Sequence, residues 1–265
     1  MKTQRGFSLV EIAVVLVIIS VLAAIVVVPI ATQVEQRRSE ETQKQLETIK
    51  EALMGFAIAS GRLPCPATAA SNGTEAFAAL GTPANGSCQQ FVGFLPAVSL
   101  GLSPVDSNGF AVDGWGLQQN RIRYAVSSRG VVANTPAACT TTVANILTST
   151  NGMRNASMAC LADSSASVTL LNVCSVTPTG AAGAATGCTA SLTSKAPFVV
   201  FSLGKNAATG GTGADEAHNV DTADTYFVSH TPTPAGSASG EFDDIVTWGS
   251  LNTLFARMVQ AGKLP

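Results

Sequence analysis

The first 31 residues, MKTQRGFSLVEIAVVLVIISVLAAIVVVPIA, decide how the rest of the chain is arranged. They contain one carboxylate, Glu11, and the stretch Ile12–Ala31 has no charged side chain, with Ser20 as its only polar one. About 20 helical residues, at ~1.5 Å each, cover the ~30 Å apolar core of a bilayer. The sequence therefore predicts a membrane-spanning helix, which we place at residues 7–31.

Glu11 is the unusual residue of this segment. A carboxylate inside a membrane helix costs roughly 2.5–3.5 kcal/mol and usually has a partner and a function. Cleavage between Gly6 and Phe7 would create an α-amino group one helical turn from Glu11. That ammonium, from the same subunit or from a neighbour, would neutralise the carboxylate. The pattern predicts a processed N-terminus and self-assembly.

The segment resembles the N-terminus of the type IV pilin and pseudopilin family. The resemblance lies in Lys2 and Arg5, the run Gly6-Phe7-Ser8-Leu9-Val10-Glu11, the motif Leu22-Ala23-Ala24-Ile25, and the proline that follows, Pro29. It implies that a prepilin peptidase cuts after Gly6 and methylates Phe7, and that Glu11 sets the register between subunits. It also implies two further partners, which are other pilin or pseudopilin subunits and an assembly platform in the inner membrane.

The same resemblance implies a single-pass inner-membrane precursor with a periplasmic globular domain, and then a periplasmic or cell-surface filament. A minor pilin and a pseudopilin of a type II secretion system both stay open. The competing class is a membrane-anchored binding or enzymatic domain that does not polymerise. A cleavable secretory signal fits less well, because its apolar core is only ~7–15 residues long. A plain signal anchor leaves Glu11 unexplained.

Composition narrows the function further. The chain has 265 residues, a net charge of −2 and only 12% charged residues, so no nucleic-acid partner is expected. Its only histidines are His218 and His230, and the GxSxG and HExxH motifs are absent. We predict no catalytic residues and no enzymatic activity.

All six cysteines follow the apolar segment, which suits disulfides in an oxidising compartment. Six cysteines allow 15 pairings. We predict the sequential one, Cys65–Cys88, Cys139–Cys160 and Cys174–Cys188.

The helix is expected to continue well beyond the membrane segment. Residues 32–44 are polar but contain no glycine or proline, and then an apolar stripe follows with helical spacing: Leu46, Ile49, Leu53, Phe56 and Ala57. Gly61 and Pro64 end it, and Pro29 should bend it. These boundaries predict a leader at residues 1–6, a long helix at 7–60 and a globular β-rich domain at 61–265.

Beyond the helix, short apolar and alternating segments predict strands. They are 121–126, 168–173, 197–203, 225–230 and 242–248, while 91–100 is either an edge strand or a short helix, and a short helix is expected at 251–261. Trp115, in the turn Asp113-Gly114-Trp115-Gly116, is predicted to be a core anchor. The fold class is α+β, in which the amphipathic half of the long helix packs on a C-terminal antiparallel sheet with disulfide-stapled loops.

Seven acidic residues fall between positions 215 and 244. They are either a solvated acidic loop or a calcium site, because calcium prefers oxygen ligands. The sequence SLGKN, followed by a Gly-rich loop and DDIVTW, is similar to the calcium loop of major pseudopilins. That resemblance implies ligands from the Leu203 carbonyl, Asn206, Asp243 and Asp244, and calcium is the one cofactor suggested.

Overall fold

The structure is a computed structural model. It describes residues 8–128, 130, 139, 142–156, 160, 170–211, 213–237 and 239–264, without the side chains of residues 23–31. Gly6 and Phe7 therefore lie outside the described residues.

Helix α1 (Leu9–Ser60) is a single helix of 52 residues. The Ser8 hydroxyl accepts a hydrogen bond from the Val10 N–H at 3.3 Å and caps its start. It ends at Gly61, whose φ of 71° is the left-handed conformation that glycine adopts without strain. The predicted long helix is confirmed for these residues. The helix passes through Pro29, and the expected bend there stays a prediction.

The larger sheet has four antiparallel strands in the order β1-β2-β5-β7. They are β1 (Val92–Phe94), β2 (Arg123–Val126), β5 (Phe198–Ser202) and β7 (Ile245–Trp248). β5 is buried along its whole length, which explains why its sequence is a continuous apolar run rather than an alternating one.

A second sheet has the order β4-β3-β6, built from β3 (Leu171–Cys174), β4 (Ser191–Ala196) and β6 (Tyr226–Val228). β3 pairs with β4 antiparallel but with β6 parallel, so the predicted antiparallel arrangement does not extend to this pair. The described part also contains three short α-helices, α2 (Gly152–Ala156), α3 (Ala214–Val220) and α4 (Leu251–Gln260), and two 3₁₀ turns at Gln118–Asn120 and Ala207–Thr209.

The two faces of the larger sheet bury different cores. Tyr124 and Phe198 belong to a cluster that also contains Leu53 of α1 and Phe255 of α4. Ala125 and the other alternate residues face a second cluster shared with β3 and β6. Alternation along each strand explains this division. The α+β class is confirmed, with α1 and α4 on one side of the sheet and the small sheet on the other.

Three disulfides join Cys65 to Cys88, Cys139 to Cys160 and Cys174 to Cys188, as predicted. Cys139 and Cys160 belong to the core cluster that also contains residues of α1, so their disulfide lies in the main core. The prediction for Trp115 is wrong in one respect, because the residue is only half-buried and lines a surface cavity.

In the described part of the chain, no helix is both long and apolar enough to cross a bilayer. The predicted span at residues 7–31 includes Phe7 and the side chains of 23–31, which lie outside that part, and it stays a prediction.

Candidate functional site

The first part of α1 carries the predicted assembly residue. Glu11 lies in its first turn and is exposed. The large apolar side chains from Leu9 to Leu22 are exposed as well, with Leu16 61% accessible. They occur at nearly every position, so they cover all sides of the helix rather than one stripe. Such a surface needs lipid or other helices around it.

A second site lies where two loops meet at the end of the larger sheet. Glu216 is in the first turn of α3, and Asp243 and Asp244 directly precede β7. One carboxylate oxygen from each of these three residues lies within 4.8 Å of the others. Glu216 and Asp244 are buried, and Asp243 is half-buried. Three acids at this separation repel one another unless protons or a cation neutralise them.

Glu216 is at the centre of the hydrogen bonds in this cluster. The Asn206 side-chain amide donates to its two oxygens at 2.9 and 3.1 Å. The backbone N–H groups of Gly213 and Asp243 also donate to it, at 3.2 and 3.0 Å. These bonds hold the Gly-rich loop after β5 against the segment before β7, and they fix the direction of the carboxylate.

Several oxygens in the cluster have no hydrogen-bond donor. Among the described residues, the buried atoms Asn206 Oδ1, Asp243 Oδ1 and Asp244 Oδ1 lack a partner. Burial raises the pKa of Asp243 to about 7, with Glu216 as the next cause, and burial raises the pKa of Asp244 well above its usual range. A buried oxygen without a partner costs roughly 1–3 kcal/mol. A divalent cation bound by the three carboxylates would neutralise them, and these oxygen donors are of the kind that calcium prefers.

Gly204 shows how closely the loop follows the site. Its φ is 62°, and a Cβ added there would lie 2.2 Å from Asp243 Oδ1. Asn120 donates its side-chain amide to the Gly204 carbonyl at 2.5 Å and also to Asp113 Oδ2 at 3.0 Å. Any side chain at position 204 would therefore push the loop away from the carboxylate.

Three of the four predicted calcium ligands come together. Asn206 donates its backbone N–H to Asp243 at 3.3 Å, and Asp244 completes the group. Leu203 is buried in the second core cluster, and a ligand role for its carbonyl stays a prediction. Glu216 was not among the ligands predicted from the sequence. The sequence feature that points to it is an acidic residue at the start of the helix after the Gly-rich loop, because a helix N-terminus favours a carboxylate.

The N-terminal segment matches a known protein family. Residues 1–27 match the family described as the prokaryotic N-terminal methylation motif, the signature of type IV pilins and pseudopilins. The chain carries that signature, as predicted, and the motif supports a type IV pilin-like precursor that a prepilin peptidase processes. No curated protein and no solved structure matches the chain.

Proposed function

We propose that this protein is a structural filament subunit of the type IV pilin kind and not an enzyme. It is cut after Gly6, methylated at Phe7 and polymerised through α1. The observation that carries the proposal is the exposed apolar surface of residues 9–22, which surrounds the helix and lies within the matched motif. Burying one such side chain contributes ~1.5–3 kcal/mol, so lateral packing of these helices drives assembly.

In this proposal Glu11 sets the register of the subunits. The new amine of a neighbouring subunit pairs with the Glu11 carboxylate among apolar side chains, where an unpaired charge is costly. Only one axial offset between neighbouring helices makes that pair. Until assembly, residues 7–31 hold the precursor in the inner membrane, and the globular domain is periplasmic.

Two measurements on the full chain test this proposal. N-terminal sequencing should find a mature protein that begins at methylated Phe7. The variant Glu11→Val should insert in the membrane but enter sheared filaments at least ~10-fold less than the wild type. Glu40→Val, which removes an exposed acid farther along α1, is the matched control. An intact Met1, or normal incorporation of the Glu11 variant, would favour the non-polymerising anchor.

Within the family, we infer a pseudopilin of a secretion system rather than a minor pilin. The support is the gathering of Asn206, Asp243 and Asp244 in the segment that resembles the pseudopilin calcium loop. Deleting the gene should then stop secretion of folded periplasmic proteins and leave surface pili in place. Loss of pili with normal secretion would favour the minor pilin.

We also propose that Glu216, Asp243, Asp244 and Asn206 bind a structural calcium ion. The three buried oxygens without a donor support it. Calcium should raise the melting temperature of the full chain in detergent, and a chelator should reverse the effect. The isosteric variant Glu216→Gln should lose this response, whereas Glu40→Gln should retain it. An unchanged melting temperature with and without calcium would refute the site.

A further inference from the structure

A surface cavity of about 260 Å³ lies beside α1 at residues 35–39, on the side of the helix that faces the domain. Trp115, Pro232 and Pro234 form apolar parts of its wall, and Glu35 and Glu241 form acidic parts. We call it the Trp115 pocket. Its volume is just below the ~300–1,000 Å³ of most small-molecule sites, so it suits one long side chain.

The charge of the Trp115 pocket favours a cation. Lys205 also lines it and lies 3.3 Å from Glu241. Asp243 is a third acid in the wall. With Asp243 neutralised by a bound ion, the carboxylates of Glu35 and Glu241 still outnumber the Lys205 ammonium. An indole face next to carboxylates is the combination that binds a guanidinium, through cation–π attraction and ion pairing.

Arg37 is such a cation without a partner of its own. It is exposed, and within the described ranges it forms no ion pair. At 100° per residue it lies about 160° around the helix axis from both Glu35 and Ser39, which line the pocket. Arg37 therefore points away from the pocket of its own chain, and only the pocket of another copy can receive it.

We propose that Arg37 of one copy docks in the Trp115 pocket of a neighbouring copy. The two complementary surfaces lie on opposite sides of the same helix, so the contact is head-to-tail and propagates instead of closing a dimer. This inference rests on the proposed function, because it describes one lateral contact of the filament. It adds a specific charged contact to the non-specific packing of the apolar segments.

Charge reversal on the full chain, followed by measurement of the fraction that enters sheared filaments, tests this contact. Arg37→Glu and Glu241→Arg should each lower incorporation at least ~10-fold, and the double variant should restore it to within ~3-fold of the wild type. Arg38→Glu, a neighbour that points ~100° away, is the matched control and should stay within ~2-fold.

Glu35→Arg gives a second test that does not depend on the half-buried Glu241, since Glu35 is exposed on α1. It should also lower incorporation, and Arg37→Glu should rescue it. Normal incorporation of Arg37→Glu, or failure of both rescues while the wild type assembles, overturns the contact and leaves the proposed function standing. If the wild type itself never enters a filament, both proposals fall.

Discussion

Asp243 makes the stability of the proposed cation site dependent on pH. Burial and the nearby Glu216 raise its pKa to about 7 in the folded protein, from a usual value of 3.8. Between these values the folded state binds more protons than the unfolded state, so stability falls as pH rises. We expect the melting temperature of the calcium-free chain to drop by at least ~2 °C from pH 4 to 7, as ~1 kcal/mol would cause in a domain of this size.

The variant Asp243→Asn is the control for this prediction, because it keeps the shape and removes the titrating group. Its calcium-free melting curve should depend less on pH across the same window. With saturating calcium the wild type should show the opposite trend, since the ion competes with protons for the carboxylates. An unchanged slope in the variant would mean that another group titrates, of which the buried Asp244 is the nearest.

At the scale of single residues, the sequence predicted part of the proposed cation site. Asn206, Asp243 and Asp244 were found because they stand in a segment with a recognisable order. Glu216 was not, because the fold alone brings it there: the loop after β5 turns back through Gly204 and places the first turn of α3 over Asp243. No spacing rule connects residues 27 positions apart. Contacts of that range depend on tertiary packing.

At the scale of elements, the two halves of α1 have different roles. Leu46, Ile49, Leu53 and Met54 are buried in the main core, whereas Leu9 to Leu22 are exposed. We expect a fragment of residues 32–265 to fold with a cooperative thermal transition. A fragment of residues 61–265 should not fold cooperatively, because it lacks the α1 side chains that form one side of its core. Circular dichroism melting and amide exchange distinguish the two results. A cooperative transition in the shorter fragment would contradict this division.

Two leucine substitutions in α1 make the same comparison within the full chain. Leu53 is 0% accessible, so Leu53→Ala should lower the free energy of unfolding by ~2–5 kcal/mol through the cavity that it leaves. Leu16→Ala removes an exposed side chain and should leave the unfolding of the domain unchanged. It should instead reduce filament incorporation. Equal effects of both variants on domain unfolding would show that residues 9–22 pack on the domain.

The elements that the sequence predicted well have strong local signals. α1 and β5 have long apolar patterns with clear ends, and α4 has buried Leu254, Phe255 and Met258 with helical spacing. The elements that the sequence did not predict have weak local signals. β4 is mostly polar, with half of its residues exposed, and α3 is short and acidic, without an apolar stripe of helical spacing. The parallel β3–β6 pair joins strands far apart in sequence, which no local pattern specifies.

Over the whole molecule, exposed apolar surface is concentrated at one end. Eleven of the twenty large apolar side chains that the described residues expose belong to residues 9–22, and the rest are scattered singly. Scattered apolar residues are ordinary on a soluble surface, but a concentrated group marks an interaction site. We therefore expect association to depend on residues 9–22 of α1 rather than on the domain.

This distribution of apolar surface predicts that the oligomeric state depends on whether residues 1–31 are present. The fragment of residues 32–265 should be monomeric at micromolar concentration, because the Arg37 contact alone buries too little surface for a stable complex. The full chain should form large oligomers when detergent is diluted, since water then surrounds residues 9–22 and packing of these segments on one another removes them from it. Light scattering after size-exclusion chromatography measures both states. Leu16→Glu, which places a charge among the packed segments, should shift the full chain toward monomers. A stable dimer of the short fragment would place an interface on the domain instead.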